Sequence, residues 1–249
     1  MGNSTDMDSN VPERERSAWL SAAVFASETG VDPQLTVRTI WPSKRLPGLV
    51  EGWLGEHEPE VVFFMVNAFW FTYPSVPLRL RRLLGPVGKA VSDFGLRVGG
   101  NPTFTRRRLF QLARRWTVRA IGGDTHFTPE SVLSTVEACL RAIVVREDIV
   151  LVVRGPLASH GVEIGGRMER RSNDAWRQVD GGLRRLCASL HVEYGGLDDP
   201  MDTRGSLSAA DLVHPDAAGH QYRAELEGML MVRGWERVHG RATMGQSHR

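Results

Sequence analysis

A chain of 249 residues with 41% hydrophobic content can bury a sizeable core, as one α/β domain or a domain carrying an insertion, and this excludes a largely disordered polypeptide. No run approaches the roughly 18 apolar residues of a membrane span, and the start, Met1-Gly2-Asn3-Ser4-Thr5-Asp6, lacks the basic and apolar regions of a signal peptide, so a soluble protein is expected. The formal charge of +2 conceals an asymmetry: from Arg79 to Arg119 there are eleven basic residues against one acid, Asp93, a net +10 in this segment and −8 elsewhere.

In chain order, Ala18, Trp19, Ala22, Val24 and Phe25 recur at helical spacing and predict a helix from Glu13 to Thr29, with Gly30 as its C-cap. The β-branched run Leu35 to Ile40 predicts a strand, Pro47 to Glu56 a short helix, and Val61 to Val66 a buried strand. Pro74 and Pro77 close the exit from that strand. The basic stretch from about 78 to 120 then carries two helical patterns split by Gly99-Gly100-Asn101-Pro102 and reads as a helical insertion. Pro129 to Arg146 predicts an amphipathic helix, Ile149 to Val153 an apolar strand, Glu169 to Leu190 a helix, and Leu190 to Tyr194 a short strand. The run from Asp216 to Leu230 predicts a final helix, with Pro215 at its first position and His214 at or beside its N-cap. Strands alternating with helices predict an α/β fold, a three-layer and mainly parallel sheet flanked by helices. In such sheets reactive groups gather beyond the C-terminal ends of the strands, where Asn67, Gly155 and the Asp211–His214 loop all fall.

The two cysteines, Cys139 and Cys187, lie in helical patterns without zinc-type spacing and read as small core residues in a reducing, cytoplasmic setting. No disulfide, metal or cofactor is called for. Matches at the start to a myristoylation signal, broken by Asp6, and to a glycosylation sequon, Asn3-Ser4-Thr5, read as incidental. Arginine supplies all the basic residues except Lys44 and Lys89, a bias that suggests GC-rich coding and a bacterial source. The +10 segment reads either as the solvated face of two helices or as a contact for an anionic membrane face, a polyanion or an acidic partner. No zinc-finger or RNA-recognition motif accompanies it, so specific nucleic-acid binding is not expected.

The most informative stretch for chemistry is Asp211-Leu212-Val213-His214-Pro215, followed by Gly219-His220. A carboxylate three residues before a histidine can hold the imidazole tautomer and stabilise the imidazolium that forms on proton transfer. An activated serine belongs on a tight turn where its own N–H can help to hold an oxyanion, and Gly2-Asn3-Ser4-Thr5 is the candidate. With Asn67 just past the buried strand at 61–66, these blocks resemble the SGNH hydrolases, or GDSL esterases. Gly2-Asn3-Ser4 is similar to the family's Gly-Asp-Ser block, with Trp19 in the following helix as members often show, and Asp211 to His214 to its Asp-x-x-His block. The resemblance implies an acyl-ester hydrolase, or an acyltransferase, that works through an acyl-enzyme. It makes Ser4 the nucleophile, His214 the base and Asp211 its orienting partner, with Asn67 and the Ser4 N–H as the oxyanion hole. The implied substrate is a small-molecule, lipid or sugar acyl ester.

Four departures accompany the resemblance. Asn3 replaces the family's Asp; Met65-Val66-Asn67-Ala68 stands where Gly-x-Asn-Asp would be; and no second-block glycine is evident around Ile40-Trp41-Pro42-Ser43. Only three residues precede Ser4, so we expect either a start further upstream or a sheet without the family's first strand. The departures motivate an alternative, a catalytically silent SGNH-like binding protein that contacts an anionic surface or partner through the basic insertion. Asn67 also has a plain reading as the cap of a strand-exit turn, and Ser4 as a frayed terminal residue. Ser9 is a rival nucleophile. Gly122-Gly123-Asp124-Thr125-His126 reads as part of a pocket or as a loop into the next helix, and Ser159-His160 as lining for the cleft.

Overall fold

The computed structural model describes residues 11–99, 108–157, 165–196 and 215–246. Three short strands, β1 (Val61–Met65), β2 (Val150–Arg154) and β3 (Glu193–Gly195), form a parallel sheet in the order β1-β2-β3. Each parallel pairing needs a crossover, and the crossovers are helical. The helices are α1 (Ser17–Thr29), α2 (Leu46–His57), α3 (Phe69–Thr72), α4 (Val76–Gly99), α5 (Arg108–Ile121), α6 (Pro129–Val144), α7 (Gly166–Ser189) and α8 (Ala217–Gln246).

The pleat sorts the strand residues to two faces. Val62, Phe64, Leu151 and Val153 join the main core with Val50 and Leu54 of α2, Val136 and Leu140 of α6, and Trp176 and Leu183 of α7. Val150 and Val152 face the other way and pack with Leu230 of α8, flanked by Val61, Phe63 and Trp235. α1 covers α8 in turn, with the Phe25 and Trp235 rings edge to face at 5.6 Å. The fold is therefore mixed α/β, mostly helical, around a small parallel sheet with helices on both faces.

Local signals explain most boundaries. Gly30 ends α1 in the left-handed conformation, φ 73°, and its N–H closes on the Ala26 carbonyl. Thr128 caps α6 by accepting the Ser131 N–H. The described residues of the basic stretch are helical, in α4 and α5, and α4 breaks at Gly85 (φ 56°, ψ −130°) just before Pro86.

Three expectations are corrected. Residues Leu35 to Ile40 are irregular, with one bridging residue at Thr39, and form no strand of this sheet. Ile40 is buried but Leu35 is exposed, and Arg38 is drawn to Glu56 and His57 of α2; β-branched composition alone does not make a strand without a half-buried surface to lie on. The third strand starts three residues later than expected, because Leu190 still bonds back to Leu186 and His191 turns the chain at φ 55°. The last helix begins at Ala217: the Asp216 side chain accepts the Gly219 N–H at 2.8 Å and its carbonyl accepts the first helical bond from His220. Asp216, rather than His214, is the N-cap, and Pro215 precedes the helix.

Cys139 and Cys187 are free, buried thiols, and burial pushes each up to about 12. At pH 8 their thiolate fraction is on the order of one in ten thousand. Iodoacetamide is accordingly expected to leave both unmodified in the native protein and to alkylate both in denaturant, as read by intact mass. Rapid native labelling would mean that the α6–α7 seam opens readily.

Candidate functional site

Three elements meet beyond the C-terminal ends of the strands. The Val66 N–H donates to the Arg154 carbonyl at 2.9 Å, so β1 and β2 end level with one another, and Asn67 is the next residue out. Asn67 is half-buried, and its Oδ1 accepts the Phe69 N–H at 2.9 Å. That bond fixes the amide orientation, since only the oxygen can accept. Asn67 thus does cap the turn into α3. The bond to Phe69 engages only the oxygen, so it leaves the Nδ2 hydrogens at the sheet edge uncommitted by the turn.

α8 runs antiparallel to the strands. Gly234 lies against Val152, Leu230 against Gly195, and Glu227 beside Arg154, the last residue of β2. At 1.5 Å per residue, the turns preceding Glu227 project roughly 10–15 Å past the sheet edge. There the buried His220 accepts the Ser17 N–H on Nδ1 at 3.0 Å, which ties the start of α8 to the start of α1. Arg154 and Glu227 form a buried ion pair, Nε to Oε1 2.8 Å, with side chains 3% and 1% exposed; the N–H is not aligned along the contact, so this is charge pairing more than an ideal hydrogen bond.

An aromatic wall flanks Asn67. Phe69 packs against Tyr73 (4.5 Å) and stacks on His126 (5.6 Å), and Trp41 meets His126 and Phe127 edge-on at 5.2 and 5.3 Å. Burial holds the His126 imidazole below its ordinary value, so it is neutral near pH 7. Arg114 of α5 lies over the Tyr73 ring at 4.3 Å. This wall was missed in sequence; its only signal was the aromatic run Phe69-Trp70-Phe71 directly after Asn67.

Compared with known proteins, the chain matches no family model, no curated protein and no solved structure.

Of the four sequence candidates, Asn67 is placed as described, and Ser4, Asp211 and His214 lie outside the described residues, as do Ser9, Ser159 and His160. The Gly122–His126 segment is a loop into α6. Its Asp124 is buried, bridges to Ser75 through two backbone bonds and pairs with Arg79 (3.5 Å) and Arg82 (3.2 Å), which makes it a tether for α4. Gly155, at the exit of β2, is a packing requirement: a Cβ there would run into the Tyr194 hydroxyl, which donates to Asp180 at 2.6 Å.

Near the N-terminal end of α7 an open cleft of about 450 Å³ is lined by Arg79, Arg119, Arg167 and Arg171 with Gly122 and Gly123. Trp176 donates to the Pro156 carbonyl and Ser172 to the Thr72 carbonyl, so this end of α7 also lies past the strand exits. Among the described residues no three His, Cys, Asp or Glu side chains converge to hold a metal ion.

Proposed function

We propose that the chain is a serine-dependent acyl-ester hydrolase of SGNH type. The observation that carries this reading is the Asn67 amide, whose oxygen is held by the Phe69 N–H while its Nδ2 hydrogens, just beyond a parallel strand, are left uncommitted by the turn. A donor held in advance where negative charge develops is what an oxyanion hole requires. Two further observations support it. The first described helices after Ser4 and after Asp211–His214 meet near their starts, since Ser17 of α1 bonds His220 of α8. The Ile40–Ser43 segment, where the second family block would fall, adjoins the Asn67 turn through Trp41, His126 and Phe69.

In this mechanism Ser4 Oγ attacks the ester carbonyl carbon while His214 takes its proton, and Asp211 holds the imidazole. The Asn67 amide and the Ser4 N–H hold the oxyanion. Collapse expels the alcohol, which receives the proton from His214, and leaves an acyl-enzyme that water, or an acceptor alcohol, cleaves to restore Ser4.

Treatment with a fluorophosphonate and peptide mapping by mass spectrometry tests the reading. The expected result is an adduct on Ser4 that is absent in His214→Ala. A protein that takes no adduct on Ser4, with unaltered esterase activity in Ser4→Ala and His214→Ala, overturns it. A second reading, a catalytically silent SGNH-like protein that contacts an anionic surface or partner through its insertion, is favoured by the four-arginine cleft. It predicts no adduct and no ester turnover.

A further inference from the structure

α5 is amphipathic the wrong way round for a helix of a soluble domain. A surface helix ordinarily turns its apolar stripe inward and its polar face to water. Among the described side chains of α5, Val118 is buried, 0% exposed, whereas Leu109 (81%), Leu112 (53%) and Trp116 (63%) stand in solvent. Their spacing, i, i+3 and i+7, puts them on one stripe that runs about 10 Å along the side opposite Val118. Arg115 and Arg119, three residues after Leu112 and Trp116, border that stripe. α4, which packs beside α5, adds exposed Leu83, Leu84 and Val87 around its break.

We infer that the α4–α5 hairpin is a membrane-surface anchor, which lays Leu109, Leu112 and Trp116 into the headgroup–acyl boundary of an anionic bilayer. Two properties of the patch select this occupant. A stripe of Leu and Trp gains by leaving water, and a polyanion offers it no apolar medium to enter. A second copy of the chain would cover the stripe, but only by bringing together two segments of net charge +10. An anionic bilayer meets both halves of the patch, with acyl chains for the stripe and acidic headgroups for the arginines. The contact is one of seating on the surface, since no described helix is long and apolar enough to cross a membrane. It holds under either reading of the chemistry at the sheet edge.

Flotation with lipid vesicles tests this. The protein is expected to float with phosphatidylcholine vesicles containing about one-third phosphatidylserine, not with phosphatidylcholine alone, and to be released as salt rises from about 50 to about 500 mM. Leu109→Ser, Leu112→Ser and Trp116→Ser together are expected to lower partitioning at least about tenfold, with an unchanged far-ultraviolet circular dichroism spectrum because all three are exposed. As a variant that keeps the site apolar, Trp116→Phe should still float but lose most of the tryptophan quenching that brominated acyl chains cause in the wild type. Failure to float with the acidic vesicles overturns the inference. So does flotation that the triple variant retains together with quenching that Trp116→Phe retains, which would mean a charge-only contact suited to any polyanion. A dimer in size-exclusion chromatography that the triple variant dissolves, without flotation of the wild type, would assign the stripe to a second copy instead.

Discussion

Glu227→Ala is expected to destabilise the protein by about 3–5 kcal/mol. It removes the countercharge 2.8 Å from Arg154 Nε and leaves the guanidinium 3% exposed at the end of β2. Restoring hydration would require opening the α8–sheet seam, where Leu230 and Gly234 lie close against Gly195 and Val152. Glu227, Leu230 and Gly234 share one helical face, so the ion pair also sets the register of α8 on the sheet. Replacing both partners, Arg154→Met with Glu227→Leu, is expected to recover most of the loss, because the cost lies in the uncompensated charge more than in the absence of the pair. Urea unfolding of the wild type and both variants measures this: the single variant should show a lower midpoint at an unchanged slope, the double variant a midpoint near wild type. A single-variant loss under about 1 kcal/mol would mean that water already reaches the pair.

Elements were legible where the local pattern and the burial it implies agree. The apolar runs at 61–66 and 149–153 became paired, buried strands because both faces of the sheet are covered, and the long periodic segments became α6 and α7. The failure at Leu35–Ile40 shares its cause with the surprise in α5. Periodicity reports that apolar residues lie on one side, not that this side is buried. Leu109, Leu112 and Trp116 keep helical spacing as faithfully as Val132, Val136 and Leu140, yet the first set faces water and the second the core. The Arg154–Glu227 and Ser17–His220 contacts were illegible for a different reason, since they join residues far apart in sequence and carry no short motif. Asn67 was legible as a position but not as a geometry: its turn-capping and donor readings were posed as alternatives, whereas the observed cap uses only the amide oxygen and does not by itself exclude a donor role for the nitrogen.

The compatibility of the two readings in one side chain makes Asn67 the most discriminating position for the proposed chemistry. Asn67→Asp keeps an oxygen to accept the Phe69 N–H and removes the Nδ2 donor; Asn67→Ala removes both. If the residue only caps the turn, Ala should cost about 1 kcal/mol of stability, Asp should cost little, and neither should alter ester turnover. As an oxyanion donor, Asn67→Asp is expected to fold like wild type and lose about 10²–10³ in kcat, because a carboxylate oxygen now faces the developing negative charge. KM should move far less than kcat, since the interaction strengthens only as the carbonyl becomes tetrahedral. Hydrolysis of a short-chain p-nitrophenyl ester, with urea midpoints measured in parallel, separates the two outcomes. Normal kcat in a stable Asn67→Asp protein would leave the residue a turn cap and remove the observation on which the hydrolase reading rests. A collapse of kcat at an unchanged midpoint would tie catalysis to the exit of β1, and so to the sheet edge where Arg154, α1 and the start of α8 already meet.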